Sequence, residues 1–184
     1  MTHIHFGLFG TAIGTCALVW GGHGVLGVQL PESDAGATRR RVARRFTAAS
    51  EAPPTAAIQL VVARIEGLLA GAHDDLADVP LDMVGVPPFH RRVYALARAI
   101  PPGATLTYGE LATRLGEPNA SRAVGQALGA NPFPIVVPCH RVLAAGGRAG
   151  GFSADGGVRT KLRLLQIEGA PLGGAPGLFD EPRA

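Results

Sequence analysis

A cysteine followed directly by a histidine, Cys139-His140, stands inside the run PIVVPCHRVL at residues 134–143. The pairing sets a thiol beside a side chain suited to taking its proton. A free thiol has a pKa of about 8.5, so only a few per cent is thiolate near neutral pH and a nucleophilic cysteine needs a base at hand. His140 and His90 are the only histidines after residue 87, and His90 falls in an expected helix. Neighbouring residues of an extended chain point to opposite sides, which makes a direct Cys139–His140 hydrogen bond awkward. A water between thiol and imidazole resolves that geometry. The apolar run Ile135–Val137 reads as a buried strand, with Pro138 and Arg141 placing the thiol at its end rather than in the core.

The rest of the chain limits that chemistry. It has 184 residues, 47% of them hydrophobic and 17% charged, enough for one generous domain or two small ones with packed cores. The two cysteines, Cys16 and Cys139, lie 123 positions apart, which is neither a disulfide framework nor a zinc cluster and suits a reducing cytosol. Cys16 sits in an apolar run and reads as core. Residues 4–30 are apolar, but seven glycines break them and no lysine or arginine precedes Arg39. They read as short strands joined by turns, not as a signal peptide or a membrane helix, and a cytoplasmic protein without a membrane partner is expected.

Charge is shared unevenly. Residues 1–87 hold six arginines against eight acids, net −2, whereas residues 88–170 hold nine arginines and Lys161 against four acids, net +6. A basic second half beside a slightly acidic first half fits a polyanion docking on the second, and on charge alone it fits ordinary surface arginines equally well.

The elements follow from periodicity and punctuation. IHFGLFGTAIG and CALVWGGHGVLGVQL read as hairpin strands, Thr38–Ala49 as a helix with a solvated arginine face, and the stretch from Pro54 to Gly71 as a second helix. HDDLADVPLDMVGVPP is acidic and unperiodic, which marks a linker and divides the chain at 1–86, 87–170 and a loose tail, 171–184. Phe89, Val93, Leu96, Ala97 and Ile100 line one helix face. Thr107 and Glu110 are spaced as a capping box for a helix ending near Gly116, and a second helix runs from Ala120 to Leu128. Two short helices around a tight turn make a helix-turn-helix.

Six segments, PPFHRRVYALARAIPPG, TYGELA, ASRAVGQAL, NPFPIVVPCHRV, GGFSADGG and KLRLLQIEG, follow one another across residues 87–170. In them the sequence resembles the O6-alkylguanine-DNA alkyltransferases, also called methylated-DNA–protein-cysteine methyltransferases. The first half is similar to that family's small domain only loosely, through FGTAIGTCALVW and the glycine-rich turns after it. The resemblance implies an α/β N-terminal domain, RNase H-like with a small sheet, and a mainly α, winged-helix-like C-terminal domain. It implies repair by direct reversal: an alkyl group on guanine O6, and on thymine O4, moves irreversibly to Cys139 after the nucleotide is rotated out of the duplex. A monomer acting once on alkylated double-stranded DNA, with no cofactor, is the expectation.

The same resemblance distributes roles. His140 acts on Cys139 through a water, and Glu168 orients its other ring nitrogen. Tyr108 helps rotate the nucleotide and protonates the leaving base, and Asn131 pins the turn before the active-site segment. Arg122 fills the vacated stack, while Ser121 and the small Ala123, Gly125 and Ala127 let the helix approach DNA closely. Tyr108, Pro134, Val137, Phe152 and Ser153 wall the lesion pocket. Phe152 replaces the tyrosine of many members, and the interval from Ser153 to Glu168 is about two residues longer than the commonest form. Some members carry zinc in the first half, but His3, His5, Cys16 and His23 do not match the ligands used, so no metal is expected.

Two other classes fit parts of the pattern. A non-catalytic lesion-binding protein would lack the cysteine. A cysteine hydrolase using Cys139, His140 and Glu168 would leave the helix-turn-helix without work and needs an oxyanion site that the sequence does not announce.

Overall fold

Glycine-bearing turns and continuous apolar runs give the first half its sheet. The computed structural model describes residues 3–171. Strands β1 (Ile4–Thr11), β2 (Gly14–Gly21) and β3 (Gly24–Gln29) form an antiparallel meander, and β4 (Ala49–Glu51) joins β1 in parallel, giving the order β3-β2-β1-β4. Gly14 and Gly24 open β2 and β3 at φ +124° and +121°, values that side chains rarely adopt. Residues Cys16 to Trp20 are all buried because both faces of the sheet are covered. Helix α1 (Ala35–Arg45) lays Val42 on Phe6, Ala17 and Val19, while α2 (Ala56–Leu69) sets Ile58, Val61 and Ile65 into the cluster that holds Cys16, Leu18 and Trp20.

The helix expected over Thr38–Ala49 is displaced. It begins three residues earlier because the Asp34 carboxylate accepts the Ala37 amide, and it ends at Arg45, after which Ala49–Glu51 are strand β4. The acidic segment after α2 is pinned rather than slack. Arg64 pairs with Asp74 and Asp78, and Arg98 donates to the carbonyls of Leu76, Ala77 and Val79. Its residues Pro80 and Asp82 bond the backbone of Val25 on edge strand β3.

The second half holds α3 (Pro88–Arg98), β5 (Leu106–Thr107), α4 (Tyr108–Arg114), α5 (Ser121–Gly129), β6 (Val142–Leu143) and α6 (Val158–Ile167). The reciprocal Thr107–Glu110 capping box is formed at the start of α4. The short parallel pair of β5 with β6 sets the first turn of α4 beside the chain that has just left Cys139-His140-Arg141. The expected boundary near residue 86 crosses a continuous core: one cluster joins side chains of β2, β3 and α2 to those of α3–α6 and Cys139 itself. The Val28 amide donates to Pro132 O, and Arg163 of α6 reaches Ala12 O in the β1–β2 turn. Of the expected tail, everything beyond Pro171 lies outside the described residues.

Candidate active site

The chain approaching Cys139 is not the expected strand. Ile135 takes a left-handed backbone at φ 76°, Pro134 bridges to Val137, and Cys139–Arg141 form a single 3₁₀ turn. Prolines at 132, 134 and 138 each lack the amide a strand ladder needs, so the run folds into a tight knot. A β-branched residue in this region is strained, and Ile135 is held there by near-complete burial. Asn131 ties the knot: its side-chain amide donates to Val137 O at 2.9 Å, and its oxygen accepts the Phe133 amide at 2.9 Å. The Cys139 amide donates to the same Val137 carbonyl at 2.8 Å. Val137, expected to wall the lesion pocket, is fully buried and enters the site only through its backbone.

Behind Cys139 lies a buried charge network. His140 Nε2 is 2.9 Å from Glu168 Oε1, and Arg141 grips both Glu168 oxygens at 2.8 and 2.9 Å while also donating to Ile100 O. Arg141 is therefore no marker of an exposed strand end: it is 0% exposed. Burial pushes the Glu168 carboxyl up, but the hydrogen bonds from His140 and Arg141 outweigh it and hold the group down at about 2. An ionised carboxylate only accepts, so Nε2 carries the proton in the Nε2–Glu168 bond. Burial lowers the His140 pKa, and the ring is neutral near pH 7. That leaves Nδ1, buried and without a hydrogen-bond partner among the described residues, as a lone-pair acceptor.

Cys139 is 9% exposed, and burial raises its thiol pKa. The Asn131 side chain, the charge of Lys161 and the amides of residues 139 and 140 oppose that rise and favour the thiolate. Lys161 is the functional candidate that sequence reasoning missed. It is fully buried on α6, donates to Val142 O at 2.6 Å, and lies 5.7 Å from the centroid of the Tyr108 ring. A lysine on an amphipathic helix reads as solvent-facing; the available signal was its position on the same face as Leu164, Leu165 and Glu168. Tyr108 also faces Gly150 and Gly125, where an added Cβ would stand 3.3 and 3.9 Å from its ring. Burial raises the Tyr108 pKa and keeps its hydroxyl protonated.

Burial lowers the Lys161 pKa to about 8. A depressed lysine pKa means that the unfolded chain binds more protons between about pH 8 and the ordinary value of 10.5, so stability rises with pH across that window. Lys161→Met is expected to abolish this rise in urea midpoints and to slow the reaction of Cys139 with electrophiles several-fold at pH 7. An unchanged alkaline limb would contradict the assignment.

A cleft of about 780 Å³ opens onto Cys139. Asn131, Pro134, Phe152 and Ser153 line it together with Gly125 and, from the first half, β3, Glu32, Arg41 and Arg45. Tyr108, expected in this wall, is not part of the lining itself but is half-buried beside it, with its ring against Gly125 and Gly150. On α5, Arg122 is exposed, Ser121, Ala123 and Gly125 are half-exposed, and Ala127 is not on that surface. Ala127 is fully buried, with its carbonyl accepting the Tyr94 hydroxyl at 2.9 Å; one turn of helix places it against α3. In the first half His5 bonds Ser50, and Cys16 is buried with its thiol pushed up to about 12. Among the described residues no three His, Cys, Asp or Glu side chains are grouped to share a metal ion.

This arrangement has known counterparts. The model of the family "6-O-methylguanine DNA methyltransferase, DNA binding domain" matches residues 88–170. A methylated-DNA–protein-cysteine methyltransferase of Methanothermobacter thermautotrophicus is 38% identical over 157 residues, 85% of this chain and 81% of the relative. A DNA base-flipping protein of Thermus thermophilus is 45% identical over 106 residues, covering 58% of this chain and 69% of its own. Among solved structures, Mycobacterium tuberculosis OGT in complex with DNA superposes with a TM-score of 0.74 at 33% identity, covering 91% of this chain and 95% of that one.

Proposed function

The chain belongs to the methylated-DNA–protein-cysteine methyltransferase family, and from that premise we propose which residues carry its reaction and on what substrate. It repairs DNA by direct reversal, moving an alkyl group from a damaged base to one of its own cysteines. The acceptor is Cys139, and the observation that carries this is its place on the cleft, beside a neutral His140 locked by Glu168 with Nδ1 free to accept. The substrate is O6-methylguanine in duplex DNA, with O4-methylthymine as a second lesion.

The thiol proton passes through a water to His140 Nδ1. The sulfur attacks the alkyl carbon, the S–C bond forms and the C–O6 bond breaks. Tyr108 donates its hydroxyl proton to the departing base, and the proton held at His140 restores the Tyr108 hydroxyl, so guanine gains one hydrogen and the thiol loses one. Without a proton donor the base would leave as a bare anion, at a higher barrier. The product is a thioether, and among the described residues no group is placed to remove it, so each molecule acts once.

The target atom lies inside a stacked duplex, so the nucleotide must be extruded into the cleft. Arg122, exposed on α5 with the small Ser121, Ala123 and Gly125 beside it, takes the vacated place in the stack from the minor-groove side. Arg122→Ala is expected to slow repair of duplex DNA at least tenfold more than reaction with free O6-benzylguanine. Equal losses on both substrates would remove the stack-filling role.

The finer architecture belongs to the same proposal. The parallel β4 on a meander supports an RNase H-like first unit, residues 1–86, and α4-turn-α5 with the β5–β6 pair supports a winged-helix-like second, residues 87–170. The protein works as a cytoplasmic monomer; no described helix is long and apolar enough to cross a membrane.

Incubation with duplex DNA carrying O6-methylguanine labelled in the methyl group tests the reading. The expected result is one label per protein on the peptide containing Cys139. Tight binding without transfer, indifference to the lesion, or label on Cys16 would overturn it.

A further inference from the structure

The cleft wall facing α5 comes from the first half of the chain, and it is basic where the lesion strand must pass. Arg41 and Arg45 stand one turn apart on α1, and both line the cleft that holds Cys139. Like charges at this spacing weaken a helix slightly. Arg41 has a long contact with Glu32 at 3.8 Å, whose carboxylate already accepts Gln29 Nε2 at 3.0 Å. Arg45 has no ion-pair partner among the described residues. Arg45 is exposed to solvent, and desolvation and the charge of Arg41 both weigh against its cation.

Its place is nevertheless built. The Arg45 guanidinium lies over the Phe46 ring, 5.2 Å from the centroid. Phe46 is seated in a notch at Gly27, where an added Cβ would come within 2.5 Å of the ring and 3.2 Å of Pro132 O. The next residue, Val28, donates its amide to that same Pro132 carbonyl, in the knot that leads to Cys139. A short, rigid path thus fixes an unpaired cation relative to the thiol.

We propose that Arg45, assisted by Arg41, binds a backbone phosphate of the extruded nucleotide, so that the DNA footprint extends across the cleft onto the first half of the protein. This rests on the alkyltransferase reading above. A base that enters the cleft carries its two flanking phosphates to the mouth, and a guanidinium stacked on an aromatic ring presents its donors edge-on to a phosphodiester. The proposal also gives the slightly acidic half a part in binding a polyanion that its net charge would not indicate.

The test is the salt dependence of methyl transfer from duplex O6-methylguanine, measured below saturation with the full chain. Each phosphate contact contributes about 0.9 to the slope of log rate against log salt concentration. Arg45→Gln is expected to lower that slope by about 0.9 and the rate at low salt by roughly five- to tenfold, following the same relation. Arg45→Lys should restore most of the slope. Arg44→Gln, an exposed arginine of α1 that does not line the cleft, should behave as the parent chain. If the parent chain transfers no methyl group, the alkyltransferase reading fails and this proposal with it. If the parent chain transfers and Arg45→Gln keeps its slope, or Arg44→Gln loses as much, only the phosphate contact is refuted.

Discussion

Cys139→Ala is expected to yield a protein that holds O6-methylguanine duplex DNA within a few-fold of the parent affinity and transfers no methyl label to itself. The loss is total because the sulfur is both the attacking atom and the final resting place of the alkyl group. No neighbouring side chain replaces it: Cys16 is buried in β2, with its thiol pushed up to about 12. Folding is expected to survive, since alanine removes one atom from a side chain at the edge of the cleft rather than from the centre of the core. Quantitative peptide mass measurement after incubation with labelled duplex decides the matter. Residual label on the variant would place the acceptor elsewhere, and loss of lesion binding together with transfer would mean that the thiol also shapes the cleft. Cys16→Ala is the matched control and should keep stoichiometric transfer.

Glu168→Ala is expected to destabilise the protein by about 3–5 kcal/mol, because it strands the fully buried Arg141 without its carboxylate. It should also reduce transfer by two or more orders of magnitude, since Nε2 of His140 loses the acceptor that fixes its tautomer. Glu168→Gln separates the two effects. It retains an oxygen for His140 but not the charge for Arg141, so stability should fall while transfer is partly preserved. The native carboxyl is held at about 2 against an ordinary 4.5. Its contribution to stability is therefore full above about pH 4.5 and is lost as pH falls from there towards 2. Urea midpoints across that range should drop less steeply in Glu168→Gln than in the parent. Identical acid limbs would show that the buried network does not carry acid sensitivity.

Much of this was legible in the sequence, and the exceptions share a cause. The three hairpin strands, α2 to α5 and the Thr107–Glu110 capping box have local signals: glycine turns, a helical apolar period, a reciprocal cap. Cys139, His140 and Glu168 are legible by adjacency and by resemblance, but the His140–Glu168 contact across 28 residues is a tertiary fact that no spacing reveals. The knot at 132–138 was misread because a short apolar run looks the same in a buried strand and in a buried turn. The prolines at 132, 134 and 138 were the evidence against pairing. Arg141 and Lys161 were invisible as core residues because charge predicts exposure unless a partner is known; Glu168 and the Val142 carbonyl supply those partners only after folding. The placement of Arg41 and Arg45 on the cleft likewise depends on how α1 packs over the edge of the sheet, which their helical spacing alone does not decide.

The burial of Cys139 at the cleft has a consequence for a protein that is spent by its own chemistry. Each copy carries a single dose of reagent, and a thiol that lay open and ionised would be squandered on any soluble oxidant or electrophile it met. Enclosure keeps that dose dormant until a base of the right shape fills the cleft and brings the reacting carbon into line. The shelf life of the molecule and its selectivity thus come from the same few walls of protein.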